Sequence, residues 1–186
     1  MAQEINEFER LRNVYLNQIV ETKAKKDFDF SVDILGKSIG PFKVGNYYKM
    51  EYYLAATFLK NDILELIEPL DVQKIQKLAF NESRSNEINK IDKNTYVAIR
   101  EHMDVLAGKL QRKLIPDREF KSFNSNVQDL ITVRMKKISN YSQTQQNMKL
   151  LQSFSEEERI LLNNLTNELI QWRTYFGSIG SPKKKE

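Results

Sequence analysis

The chain has 186 residues, 40% hydrophobic and 29% charged, with only 6 Gly and 4 Pro, which is room for one ordinary domain or two small ones and not the composition of a linker or low-complexity repeat. Zero cysteines exclude disulfide frameworks, thiolate metal sites and thiol nucleophiles, and the single His102 excludes the paired-histidine metalloprotease motif and leaves a Ser-His-Asp triad one residue to run through. Half of the net charge of +4 sits in Lys183, Lys184 and Lys185 against Glu186, so the rest of the chain has little excess with which to displace phosphate counterions.

A helix is expected over residues 4–24, where Ile5, Phe8, Leu11 or Arg12, Tyr15 and Ile19 recur near helical spacing with charged residues between them. Residues 27–34 then alternate polar and apolar, the mark of a half-buried strand. Its Asp27, Asp29 and Asp33 share one side; carboxylates two apart on a strand point into water together, and a solvated face is the expectation rather than a metal site. Gly36, Gly40-Pro41 and Gly45-Asn46 punctuate the next ten residues, with Phe42 and Val44 as a short second strand. Gly36-Lys37-Ser38 looks like the end of a phosphate loop but lacks the upstream glycine and a following helix, so turns in a small sheet are expected there.

Residues 47–60 read as a helix buried on a wide arc, with Tyr48, Tyr52, Ala55 and Leu59 on one stripe and Met50, Leu54 and Phe58 beside it. Its tyrosines have few cations among them, which favours core or partner packing over base stacking. A strand at 63–67 ends before Pro69, and a helix follows over 71–80 with Asp71 as its N-cap. Residues 81–94, rich in Asn and Ser, are the expected boundary. Beyond it come a helix over 94–113 carrying Tyr96, Ile99, Met103, Leu106 and Leu110, and a second starting at 120 or 124 and running to 141, with Val127, Leu130, Ile131, Arg134 and Ile138 on one face and a basic flank of Arg118, Lys121, Lys136 and Lys137. After a short turn near 147–151, Ser155 and Glu158 form a capping box that opens a last helix carrying Ile160, Leu161, Leu165, Leu169, Trp172 and Phe176.

These elements predict an α+β, mostly α-helical fold in which a small N-terminal β-containing domain, with its leading helix over residues 1–82, packs on a helical-bundle domain over 83–176, followed by a flexible basic tail over 177–186. The longest apolar stretch, residues 52–59, is far short of a membrane span, and the start of the chain lacks the order of a signal peptide, so a cytoplasmic location is expected. No nucleophile with its base, metal-ligand cluster or phosphate cradle has diagnostic spacing; His102 lies off the apolar helix face, and Glu156, Glu157 and Glu158 suit the positive end of a helix. No catalytic residue, cofactor or metal is expected, and the wide apolar arcs favour an interaction protein.

Two stretches carry a family likeness. Ile39-Gly40-Pro41-Phe42-Lys43-Val44-Gly45, followed by Met50-Glu51-Tyr52-Tyr53-Leu54-Ala55 and the strand at 63–67, resembles the small β-rich domain of the GINS family of replication factors. Leu130 to Ile138 with its basic Arg134, Lys136 and Lys137, then Leu150-Leu151, Phe154-Ser155-Glu156-Glu157-Glu158 and the helix through Trp172, resembles that family's helical domain. With the small domain first, the likeness is to the archaeal two/three-type subunit, although the helical pattern before Asp27 is longer than that type implies. The resemblance implies a non-enzymatic, nucleoid-associated scaffold that pairs with a five/one-type paralogue as a dimer of dimers and joins the MCM helicase to a RecJ-like partner. It places the subunit seam on Leu130, Ile131, Ile138, Leu161, Leu165, Leu169 and Trp172, unless these form internal core, with Arg134 and Lys137 pairing with acids across it. Phe42, Tyr48 and Tyr52 are then the docking face of the small domain. The alternative is a nucleic-acid-binding regulator using the basic helix and the lysine tail.

Overall fold

The computed structural model describes residues 6–70, 72–143 and 150–180. The fold is α+β and mostly helical, with six α-helices and two small antiparallel sheets among these residues. Ile5, Asp71, the start of the 147–151 turn and the lysines at 183–185 lie outside them.

Helix α1, Glu7–Leu16, opens at Asn6, whose side chain accepts from the Phe8 backbone N–H at 3.0 Å, with Glu7 and Glu9 at the positive end. It is shorter than the helix expected over 4–24, because β1, Ile19–Ala24, follows at once. Val20, Thr22 and Ala24 point inward with period two, and a Val- and Thr-bearing segment whose partners lie on both sides is more stable as the centre of a sheet than as a helical extension. The sheet order is β4-β1-β5, with β4 at Tyr47–Glu51, β5 at Leu64–Leu66, and Thr22 opposite both Tyr48 and Leu66.

The helix expected over 47–60 is likewise divided: β4 takes its first five residues and α2, Tyr52–Lys60, the rest. The long strand expected over 27–34 contracts to a hairpin, β2 at Val32–Ile34 and β3 at Lys37–Ile39, while Phe28 makes one isolated bridge to Phe42. The Gly36-Lys37-Ser38 segment is therefore a hairpin turn and strand, with Lys37 paired to Glu51, and not a phosphate loop. Leu35 and Gly36, at φ 49° and 79°, form the two-residue turn, the positive pair of φ values that matches strand twist.

Phe28, Phe42 and Phe58 meet with ring centroids 4.9 to 6.0 Å apart over the inner face of the sheet, and Tyr52, Leu54 and Leu64 complete this first core. Helices α3, Val72–Arg84, α4, Thr95–Gln111, and α5, Asp117–Ser142, enclose a second around Ile75, Ile99, Phe123 and Leu130. The third joins Ile88, Ile138, Phe154 and Leu162, between α5, a 3₁₀ turn at Leu150–Ser153 and α6, Glu156–Gly180. Because α3 packs along α5, the expected division after residue 82 falls inside a helix of the second core, and the change of core comes between β5 and α3 instead. The Asn-rich segment is no open linker either, since Ile88 and Ile91 are buried. Val105 of α4 reaches the first core, Lys109 pairs with Asp62 at 2.9 Å, and Arg12 donates to Glu101 at 2.6 Å, so the small domain is fastened onto the helices. No helix among the described residues is long and apolar enough to cross a membrane.

A Cβ at Gly40, where φ is 101°, would stand 2.5 Å from the Phe30 carbonyl oxygen, so Gly40→Ala is expected to lower stability by about 1–3 kcal/mol in urea denaturation. Leu35→Asn, which relieves a left-handed leucine, should raise it by about 1 kcal/mol in the same assay.

Candidate interaction site

The basic helix of the sequence turns its key cation inward. Arg134 of α5 is fully buried. Its Nε donates to Glu158 Oε1 at 2.7 Å and its Nη2 to Glu158 Oε2 at 2.5 Å, a two-pronged pair with the first turn of α6. Nη1 donates to the Asn89 carbonyl at 2.6 Å and to Glu82 Oε2 at 3.2 Å. One helix turn on, Lys137 Nζ donates to Glu82 Oε1 at 2.6 Å and to the carbonyls of Glu82 and Glu87, each at 2.7 Å. Two cations thus meet two carboxylates, and the cluster is neutral, as burial of charge demands.

Glu158 serves two purposes. Its carboxylate accepts from the Ser155 N–H at 3.0 Å while its own N–H donates to Ser155 Oγ at 3.2 Å, which is the capping box expected from the sequence. The same carboxylate accepts from the Tyr96 hydroxyl at 2.7 Å, so the cap of α6 is tied to α4 and α5 together. Burial pushes the Tyr96 phenol well up, and the Glu158 charge adds to it. Burial alone would raise the Glu82 carboxyl, but the hydrogen bond from Lys137 and the charges of Arg134 and Lys137 outweigh it and hold Glu82 below the ordinary carboxylate value.

This network corrects the expected polarity of the seam: Arg134 and Lys137 are satisfied by acids of their own chain, not held out for acids of a partner. Leu130 and Ile138 are likewise buried in internal cores, whereas Ile131, Leu161, Leu165 and Leu169 are half-buried. Trp172 is 63% exposed. Around it Ile170, Tyr175 and Phe176 are also exposed, with the Phe176 ring 4.7 Å from Trp172 and 5.2 Å from Tyr175. Glu158 meets Arg134 while Arg173, fifteen residues later, reaches the Gln143 carbonyl at 3.4 Å. The apolar stripe that packs against α5 through Leu162 and Leu165 therefore reaches the level of the end of α5, where Trp172 and Phe176 are exposed. Sequence periodicity finds this stripe but not where its partner helix stops.

In the small domain, Phe42 and Tyr52 are core residues and not a docking face, and Tyr48 is half-buried with its hydroxyl oxygen accepting from the Lys43 N–H at 2.8 Å. Exposed apolar groups there include Ile19, Phe30, Leu35, Val44 and Tyr47. Asp27 accepts from the Val44 N–H at 2.8 Å and Asp29 pairs with Lys43 at 2.6 Å. Among the described residues no three His, Asp or Glu side chains converge as metal ligands. His102 is half-buried, with its ring 4.8 Å from that of Phe123. Comparison with protein-family models and with curated proteins finds no match.

Arg134→Met leaves Glu82 with Lys137 alone and the buried Glu158 with no cation, only the Tyr96 hydroxyl and the Ser155 N–H, so a loss of about 3–5 kcal/mol in urea denaturation is expected. Because the folded-state value of Glu82 is depressed, its contribution is present above the ordinary carboxylate value of about 4.3 and is lost as pH falls through the lowered one. Thermal melts should therefore drop below about pH 4 in the natural chain and fall less steeply in Glu82→Gln.

Proposed function

We propose that the chain is a non-enzymatic scaffold subunit of the GINS type, pairing with a five/one-type paralogue as a dimer of dimers and linking an MCM-type helicase to a RecJ-like partner. The observation that carries this reading is the exposed pair Trp172 and Phe176, one helical turn apart on the last turns of a helix anchored firmly at its other end. Contiguous exposed aromatic surface of this kind marks protein interfaces, where Trp and Tyr dominate binding energy. The order of a small sheet domain before a helical one, and the stretches that resemble the family, support the choice of family. A scaffold needs no reacting groups: holding two proteins on one platform raises their effective concentration and fixes their geometry.

The nucleic-acid alternative loses support in the basic helix, since Arg134 and Lys137 are engaged internally, and is left there with Arg118 and Lys136 and with a lysine tail outside the described residues. Purification of the tagged chain from its own cells after nuclease treatment separates the two readings. The scaffold reading expects one paralogue at a one-to-one ratio, with helicase in smaller amounts, by mass spectrometry. Trp172→Glu combined with Phe176→Glu should abolish that recovery while shifting stability by no more than about 0.5 kcal/mol, because both side chains are exposed. Recovery of the chain alone, with every partner lost to nuclease, overturns it.

A further inference from the structure

We infer that a small apolar pocket between α1, α4, α5 and α6 receives an arginine side chain from a partner protein, with Glu157 as its counter-charge. The pocket is about 210 Å³ and is walled by Phe8, Tyr96, Ile131, Met135 and Leu161, with Glu157 on the α6 side. Both Glu157 carboxylate oxygens are buried, and neither has a hydrogen-bond partner among the described residues. A buried carboxylate without partners is costly, and native structures rarely keep one without a use for it.

The chain's nearby donors are committed elsewhere. Tyr96, which lines the same pocket, gives its hydroxyl proton to Glu158 at 2.7 Å, and the Arg134 guanidinium is filled by Glu158, Glu82 and Asn89. Arg12 donates to Glu101, Arg100 pairs with Glu9, and Arg159 donates to the Leu151 carbonyl. Among the described residues no donor reaches Glu157, and its cation is assigned to a partner.

Guanidinium suits the vacancy better than ammonium does: two free oxygens match two parallel N–H donors, whereas lysine offers a point charge. The apolar walls suit the methylene stem that carries it. Phe8 and Met135, both exposed at the rim, provide apolar surface for the residues flanking the arginine. Leu161 belongs to the pocket and to the α6 stripe at once, so one partner covering that stripe lies within reach of Glu157. The inference depends on this geometry and not on the identity of the paralogue.

The full chain, labelled with ¹³C at its methionine methyls, is titrated with n-butylguanidinium, with the uncharged isostere n-butylurea, and with the blocked peptide acetyl-Leu-Arg-Leu-amide, while the Met135 methyl resonance is followed. The expected result is a saturable Met135 shift with butylguanidinium, no saturable shift with butylurea, about tenfold tighter binding of the peptide, and at least about a tenfold loss of affinity in Glu157→Gln. Glu157→Gln keeps the shape of the side chain and removes an unpaired charge, so it should melt no lower than the natural chain. Should it not fold, Met135→Arg supplies the cation from the rim and is expected to raise the melting temperature and abolish probe binding. Equal binding of butylurea, binding that survives Glu157→Gln, a Met135→Arg chain that still takes the probe, or no saturable shift overturns the inference. A peptide that binds no tighter than butylguanidinium overturns the protein source and leaves a small-molecule site.

Discussion

The buried guanidinium of Arg134 fixes the arrangement of the helical half. Its Nε, Nη1 and Nη2 reach Glu158 on α6, Glu82 on α3 and the Asn89 carbonyl in the segment between α3 and α4. An arginine sealed from water loses its hydration, and only full replacement of those hydrogen bonds makes the burial tolerable. The requirement acts on geometry: α3 and α6 must each present a carboxylate within about 3 Å of one planar group, which leaves little freedom in how they cross α5. Lys137 completes the balance by taking the remaining Glu82 oxygen, so neither carboxylate is left half-satisfied.

Rigidity at one end of α6 has a consequence at the other. The helix is held at its first turn by its cap, by Arg134 and by Tyr96, and in its second turn by the Leu162 core. With 25 residues it runs on beyond Ser142, the last residue of α5, so Trp172 and Phe176 are presented at a fixed angle and exposed. A loop carrying the same residues would have to lose conformational entropy on binding, whereas a pre-ordered helix has already lost most of it during folding.

Local chemistry made some features readable in advance and long-range pairing hid others. The capping box at Ser155 and Glu158, the strand before Pro69 and the three long helices follow from spacing and punctuation that each segment carries by itself. The strands at Ile19–Ala24 and Tyr47–Glu51 were not readable, because each is apolar at intervals a helix also satisfies, and only their mutual pairing, with Thr22 opposite Tyr48, decides for the sheet. Arg134 shows the same limit. Its place on an apolar stripe was visible, but a buried arginine and a surface arginine on that stripe look identical until Glu82, 52 residues away, is found beside it. Glu157 looked like one of three acids at a helix start; its neighbours Glu156 and Glu158 are exposed and saturated respectively, and only packing separates the three.

The internal use of charge bears on what kind of recognition this surface can perform. In the helical half Arg134 and Lys137 of α5 are neutralised by acids of the same chain, while the exposed surface includes the aromatic pair Trp172 and Phe176, and one buried carboxylate is unpaired. A phosphate that reached for Arg134 or Lys137 would have to displace the Glu82 and Glu158 pairs, exposing two carboxylates and unfastening α6 from α5. A partner that buries Trp172 and Phe176 disturbs none of these contacts, and its binding rests on apolar area that salt screens little. The two ends of α6 therefore differ in what their side chains do: charge locks the first turn, and near the other end Trp172 and Phe176 are left exposed.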